Sequence, residues 1–156
     1  MKDTREALKW IVNILNKHQV SFQIRGGFAA KVYGSKRPLS DIDFRIDKGG
    51  IDKILPDVKN YVTHQPGEYK DEKWDIYGMT LSYEGQEIDM CERVKIFNDN
   101  TQAWEDLKVD LSKSVIKEVY GIKIPIAVPE ELIAYKHLLN GAHQVEDIQA
   151  IQNYLK

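Results

Sequence analysis

The sequence holds a single cysteine, Cys91. An internal disulfide is therefore excluded, and so is a zinc site built from several thiolates. Long hydrophobic runs are missing as well. No apolar stretch approaches the roughly 20 residues that a membrane-spanning helix needs. Residues 1–18 are interrupted by Asp3, Arg5, Glu6, Lys9 and Lys17, unlike the core of a secretory signal, so a cytoplasmic protein with no membrane partner is the default expectation. An excess of one charge is also lacking. The formal net charge of −2 offers no global field for nucleic acid and argues against a chain that coats DNA. Internal repeats and low-complexity tracts are absent. The length of 156 residues, with 42% hydrophobic and 29% charged, suits one domain with one core.

Periodicity gives the expected elements. Ala7, Leu8, Ile11, Ile14 and Leu15 recur at helical spacing, which predicts an amphipathic helix over 4–17 capped by Thr4. A short strand over 20–24 ends at Gly26-Gly27, a short helix runs over 28–33, and Ser35 to Pro38 form a loop. Residues 41–46 alternate as a strand, with Ile42, Phe44 and Ile46 opposite Asp41, Asp43 and Arg45. A helix follows over 51–59 and a strand over 61–64. Residues 65–73 are expected to be a charged, mobile loop. Hairpins are predicted at 74–83 with 86–92 and at 114–119 with 122–127. Pro129-Glu130-Glu131 starts a helix over 130–139, and a last helix spans 143–155, with a break at Asn140-Gly141. The fold class is α+β, a mixed sheet with helices on one face and a helical tail. Residues 1–127 form the core and 128–156 the tail of the same domain.

The chemistry concentrates at Asp41 and Asp43. Period two puts both on one strand face, with Cα atoms roughly 6.5–7 Å apart, where they can share a divalent cation. Glu87-Ile88-Asp89 repeats the logic on a later strand. If that strand lies beside 41–46, Asp89 or Glu87 supplies a third acid, and such acids repel unless cations neutralise them. Asp89, between Ile88 and Met90, is the preferred third acid. The bland alternatives are a solvated strand edge for the acids and an ordinary turn for the glycines.

The order Ile24-Arg25-Gly26-Gly27-Phe28, then Ser40-Asp41-Ile42-Asp43-Phe44, then a later strand acid, resembles the signature of the nucleotidyltransferase superfamily, the fold shared with DNA polymerase β. The nearest flavour is that of the small bacterial lincosamide and aminoglycoside nucleotidyltransferases and the toxin-type enzymes of abortive-infection systems. The resemblance covers residues 20–47 and extends to 86–91. It implies transfer of a nucleoside monophosphate from a nucleoside triphosphate such as ATP to an acceptor hydroxyl, with two Mg²⁺ ions (or Mn²⁺) held by Asp41, Asp43 and Asp89. It implies that Gly26 and Gly27 approach the phosphates and that Lys136, after Val128-Pro129, lies near the triphosphate. Serine often stands where this chain has Gly27, so one hydroxyl contact is lost. Arg37, in the loop before Asp41, is the preferred further phosphate partner, ahead of Arg25 and Lys31. Asp147 is an adenine-side contact, a structural contact or a charged surface residue.

The acceptor is unspecified. The acidic balance leans towards a small cationic molecule over transfer RNA or protein. The short tail suggests a homodimer in which a second copy completes the cleft. Rival readings are a silent nucleotide-binding or interaction protein of the same fold, a sugar-nucleotide transferase using Asp-x-Asp, and a structural domain with solvated acids.

Overall fold

The computed structural model describes residues 1–139 and 141–156. Its elements are α1 (Thr4–Lys17), β1 (Phe22–Arg25), α2 (Gly26–Val32), β2 (Asp41–Ile46), α3 (Gly50–Val58), β3 (Val62–Lys70), β4 (Trp74–Tyr83), β5 (Gln86–Asn98), β6 (Ala103–Asp106), β7 (Val115–Val119), β8 (Ile122–Ile126), α4 (Pro129–His137) and α5 (Ala142–Tyr154). Among the described residues the strands form one mixed sheet in the order β3-β4-β5-β2-β1-β8-β7, with β6 beside β5. None of the described helices is long and apolar enough to cross a membrane.

β2 alternates because one of its faces is buried. Ile42, Phe44 and Ile46 are at most 3% exposed, with Phe22, Ile24, Ile88 and Met90 of the neighbouring strands in the same core. α1 adds Leu8, Ile11 and Leu15, and α3 adds Ile51, Ile54 and Val58. Each such fully buried side chain contributes roughly 1.5–3 kcal/mol relative to exposure. Leu132 of α4 and Ile151 of α5 join this core. Asn140 lies outside the described residues. Gly141, with φ +120°, precedes α5.

Three expectations need correction. Asp3 rather than Thr4 caps α1, its side chain accepting from the Glu6 amide at 3.1 Å. Thr4 is instead the first helical residue, and its hydroxyl donates to Gln86. Residues 65–70, expected as loop, continue β3, paired antiparallel with β4 through irregular register. β5 runs on to Asn98, and β6 pairs with its second half, from Lys95 to Asn98. The first half of β5 pairs with β2 instead, so one long strand serves both the core sheet and an outer arm.

The N-terminus of α3 has no cap from its own segment, since Gly49 and Gly50 lack side chains. Glu92 on β5 takes that role. Its two carboxylate oxygens accept from the amides of Gly49 (2.8 Å) and Ile51 (3.1 Å), an anion placed at the positive end of the helix. Glu92→Ala should lower stability by about 1 kcal/mol, read as a reduced denaturation midpoint. An unchanged midpoint would show that solvent caps this helix equally well.

Candidate active site

Sheet register assembles the acids. β2 and β5 run parallel, with Asp41 beside Glu87 and Asp43 beside Asp89, lateral neighbours roughly 4.8 Å apart. Carboxylate oxygens of Asp41, Glu87 and Asp89 lie within 4.8 Å of one another. Asp43 is turned aside onto Gly26, which has φ +62° and whose missing Cβ would collide with the Asp43 carboxylate. Any larger residue at 26 would be strained in backbone and would displace an acid. Thr80 donates its hydroxyl to Asp89 at 2.9 Å.

Four acids on one half-buried face cannot all ionise freely. Burial, then the charge of Asp41, pushes the Asp43 carboxyl up to about 7, with Lys136 opposing and Glu87 adding to the rise. Burial and the hydrogen bond with Asp41 push Asp89 up to about 8. A cluster of oxygen-only ligands that holds protons near neutrality fits a hard divalent cation such as Mg²⁺ or Mn²⁺, which would replace those protons.

A second cluster lies on the other side of Gly26. Asp147 on α5 is fully buried and binds Arg37 through Nη2 (2.7 Å) and Nε (3.1 Å), Lys136 Nζ (3.0 Å) and the Ser35 hydroxyl (2.7 Å). Burial raises its pKa, but the bonds from Arg37, Ser35 and Lys136 outweigh that and hold it at about 2. Arg37 Nη2 lies 3.3 Å from where a Cβ on Gly27 would stand. The guanidinium therefore overhangs the glycine turn and tolerates little bulk there. Lys136 is only 2% exposed and sits close enough to Asp43 to ease its ionisation.

The acid face opens into a cleft of about 1170 Å³. α4 presents Glu131, Ala134, Tyr135 and Leu138 to it, one helical stripe. The opposite wall is the outer arm, with Tyr69, Trp74, Ile76 and Val94. Cys91 lies in this wall as a half-buried residue, its thiol pushed up to about 12 mainly by burial.

Gly26, Asp41, Asp43 and Asp89 thus line the cleft together, whereas Arg37, beside Gly27, and Lys136 meet on Asp147 outside its lining. Lys31 points elsewhere, its ammonium 3.0 Å from the Arg37 carbonyl and exposed. Sequence reasoning missed Thr80 and the anchoring role of Asp147. Thr80 was reachable by counting. The Glu84-Gly85 turn has φ of +50° and +74°, a two-residue hairpin that pairs Tyr83 with Gln86 and hence Thr80 with Asp89. Asp147 had no such signal, because Ser35 and Arg37 lie 112 and 110 positions away and only Lys136 is near in sequence.

No protein-family profile matches the sequence, and no curated protein is similar to it at a significant level. Solved structures do match. A candidate nucleotidyltransferase from Thermotoga maritima superimposes with a TM-score of 0.68 at 23% identity, over 99% of this chain and 95% of that one. The lincosamide antibiotic adenylyltransferase LnuA, bound to lincomycin, gives 0.67 at 14% identity over 99% of both chains. ANT(2")-Ia in complex with adenylyl-2"-tobramycin gives 0.61 at 12% identity over 97% and 89%. The chain has the nucleotidyltransferase fold.

Proposed function

We propose that this protein is a metal-dependent nucleotidyltransferase that moves a nucleoside monophosphate from a nucleoside triphosphate to the hydroxyl of a small molecule. The observation that carries this reading is the paired arrangement across Gly26. Carboxylates that retain protons stand on one side, and two cations locked on a buried aspartate stand on the other. The fold shared with LnuA and ANT(2")-Ia supports it.

Asp41, Asp43 and Asp89 would hold two Mg²⁺ or Mn²⁺ ions, which supply Lewis acidity to the attacking and leaving oxygens. Glu87, at the more exposed end of the face, adds to the negative field of that cluster. Gly26 and Gly27 let the triphosphate approach the backbone, and Arg37 and Lys136 compensate its β- and γ-phosphates. The acceptor oxygen forms a bond to the α-phosphorus while the α–β bridging bond breaks and pyrophosphate leaves. Asp89, ionised once a cation takes the place of its proton, would accept the hydroxyl proton.

The test is incubation with each α-labelled nucleoside triphosphate, Mg²⁺ or Mn²⁺, and panels of hydroxylated small molecules, transfer RNAs and proteins. Labelled adduct with matching pyrophosphate is expected from the small-molecule panel. Nucleotide binding with no adduct from any panel would favour a silent nucleotide-binding protein. Absence of nucleotide binding would overturn the reading.

A further inference from the structure

Two arginines on the floor of the cleft make no direct ion pair among the described residues, the charges of Glu131 and Asp106 reaching Arg25 and Arg45 only from beyond contact. Arg45 is 9% exposed, and Arg25 is half-buried. β1 and β2 pair antiparallel with Gln23 opposite Arg45 and Arg25 opposite Asp43, so the two guanidiniums are diagonal neighbours on the acid face. Arg45 Nη1 donates to the Leu107 carbonyl at 2.7 Å. Arg25 Nη1 donates to the side-chain carbonyl of Gln23, and its guanidinium lies 5.8 Å from the centre of the Tyr135 ring. Gln23 is itself fully buried and fixed by the Ser114 hydroxyl at 2.9 Å.

Among the described residues neither arginine forms an ion pair. Arg37, Arg93, Lys17, Lys73 and Lys136 all do. Nor are the two spent on the metal-binding acids, for the cation that eases Asp43 is Lys136. Each guanidinium carries five N–H donors, and one bond to a neutral oxygen leaves most of them unused. A desolvated charge without a partner costs several kcal/mol. Both arginines line the cleft rather than the closed core, so an anion entering it can reach them.

We propose that the acceptor carries an anionic group, a carboxylate or a phosphate, that docks on Arg45 and Arg25 at the floor of the cleft. This rests on the transferase reading above. Arg45 pairs laterally with Cys91, two residues beyond Asp89, so the anionic group and the reacting hydroxyl are separated by about 7 Å along the strand. That span suits a phosphorylated polyol or a hydroxy acid. The walls of Trp74, Ile76, Val94 and Tyr135 accept its apolar surface. The cleft is acidic around Asp41, Asp43 and Asp89, and these two positive charges converge on its floor beside that face.

The experiment uses phenyl phosphate and benzoate as probes, titrated calorimetrically against the full chain without nucleotide or metal. One equivalent of at least one probe should bind, and the tighter of the two identifies the anion class. Arg45→Gln should weaken that probe at least about tenfold, as should Arg25→Gln, since each removes a charge-assisted pair. Arg37→Gln should weaken ATP and leave the probe bound. Arg45→Met, which removes a buried unpaired charge at similar volume, should melt higher than the parent in the absence of ligand. The proposal is overturned if neither probe binds, or if binding survives both Arg45→Gln and Arg25→Gln, or if it is lost instead with Arg37→Gln. Failure to bind ATP would sink the transferase reading alone and leave the anion titration to be judged by itself.

Discussion

Asp43→Asn should yield a protein that stays folded, melts higher than the parent above pH 7 without metal, and transfers no nucleotide. The thermal effect follows from the raised carboxyls. Asp43 binds its proton up to about 7 and Asp89 up to about 8, chiefly through burial and the neighbouring acids. In the unfolded chain both release it near pH 4. Between these limits the native state holds more protons than the unfolded one, so stability falls as pH rises. The groups facing Asp43 set the size of the effect: Asp41 and Glu87 raise its pKa, and Lys136 lowers it. The metal-free parent should therefore lose roughly 10 °C in melting temperature between pH 5.5 and 8.5, a few kcal/mol at 2–4 °C each. Asparagine at 43 removes the part of that loss that Asp43 carries and leaves the part carried by Asp89. Mg²⁺ or Mn²⁺ should restore the parent at pH 8.5 and leave the variant unmoved. Transfer activity should fall by about three orders of magnitude or more, because one of the ligands for the ions is gone. A parent with a flat profile over this range would show that the acids do not press on one another as the geometry requires.

Asp147→Asn carries the largest expected loss of stability. The substitution keeps the volume and leaves Arg37 and Lys136 without their carboxylate. Lys136 is almost fully buried, and a buried cation stripped of its partner typically costs 3–5 kcal/mol. A fall of roughly 10 °C in melting temperature is the expected result. The sign with pH is opposite to that of the acid face. Held at about 2, Asp147 contributes stability that is fully present above pH 4 and fades as pH drops towards 2. ATP affinity should fall in parallel, since Arg37 and Lys136 lose their common anchor. A melting temperature within about 2 °C of the parent would mean that solvent reaches Lys136 far more easily than its burial indicates.

These two residues also mark how far the sequence could be read. β2 was legible to the residue, because Ile42, Phe44 and Ile46 meet a core and Asp41, Asp43 and Arg45 do not. Environment there writes itself into alternation. β3 was not legible beyond His64, because its residues are half-buried or exposed throughout, as befits an edge strand. With no buried face, its composition resembles a loop, and only pairing with β4 makes it a strand. β6 escaped notice for the same reason. At the site, Gly26, Asp41 and Asp43 were legible through close spacing. Glu92 and Asp147 were not. Each resembles an ordinary surface acid, and its role exists only through amides or cations contributed by distant segments. The charge of the cleft floor was equally hidden. Arg25 and Arg45 look like common strand arginines until the register of β1 and β2 brings them together.

The split pairing of β5 and the long reach of Asp147 have a kinetic consequence. β4 and β5 join through a two-residue turn, and β2 pairs with β5 at a separation of 46 positions, Asp41 beside Glu87. Lys136 arrives only with α4, 93 positions after Asp43, and its anchor Asp147 only with α5, 110 positions after Arg37. Short-range closure precedes long-range closure in a folding chain. The nascent protein therefore gathers its negative charges before it receives the lysine that tempers them. The last step of folding is also the step that makes the acid face electrostatically tolerable, so the chain cannot finish that face and leave the Asp147 cluster for later.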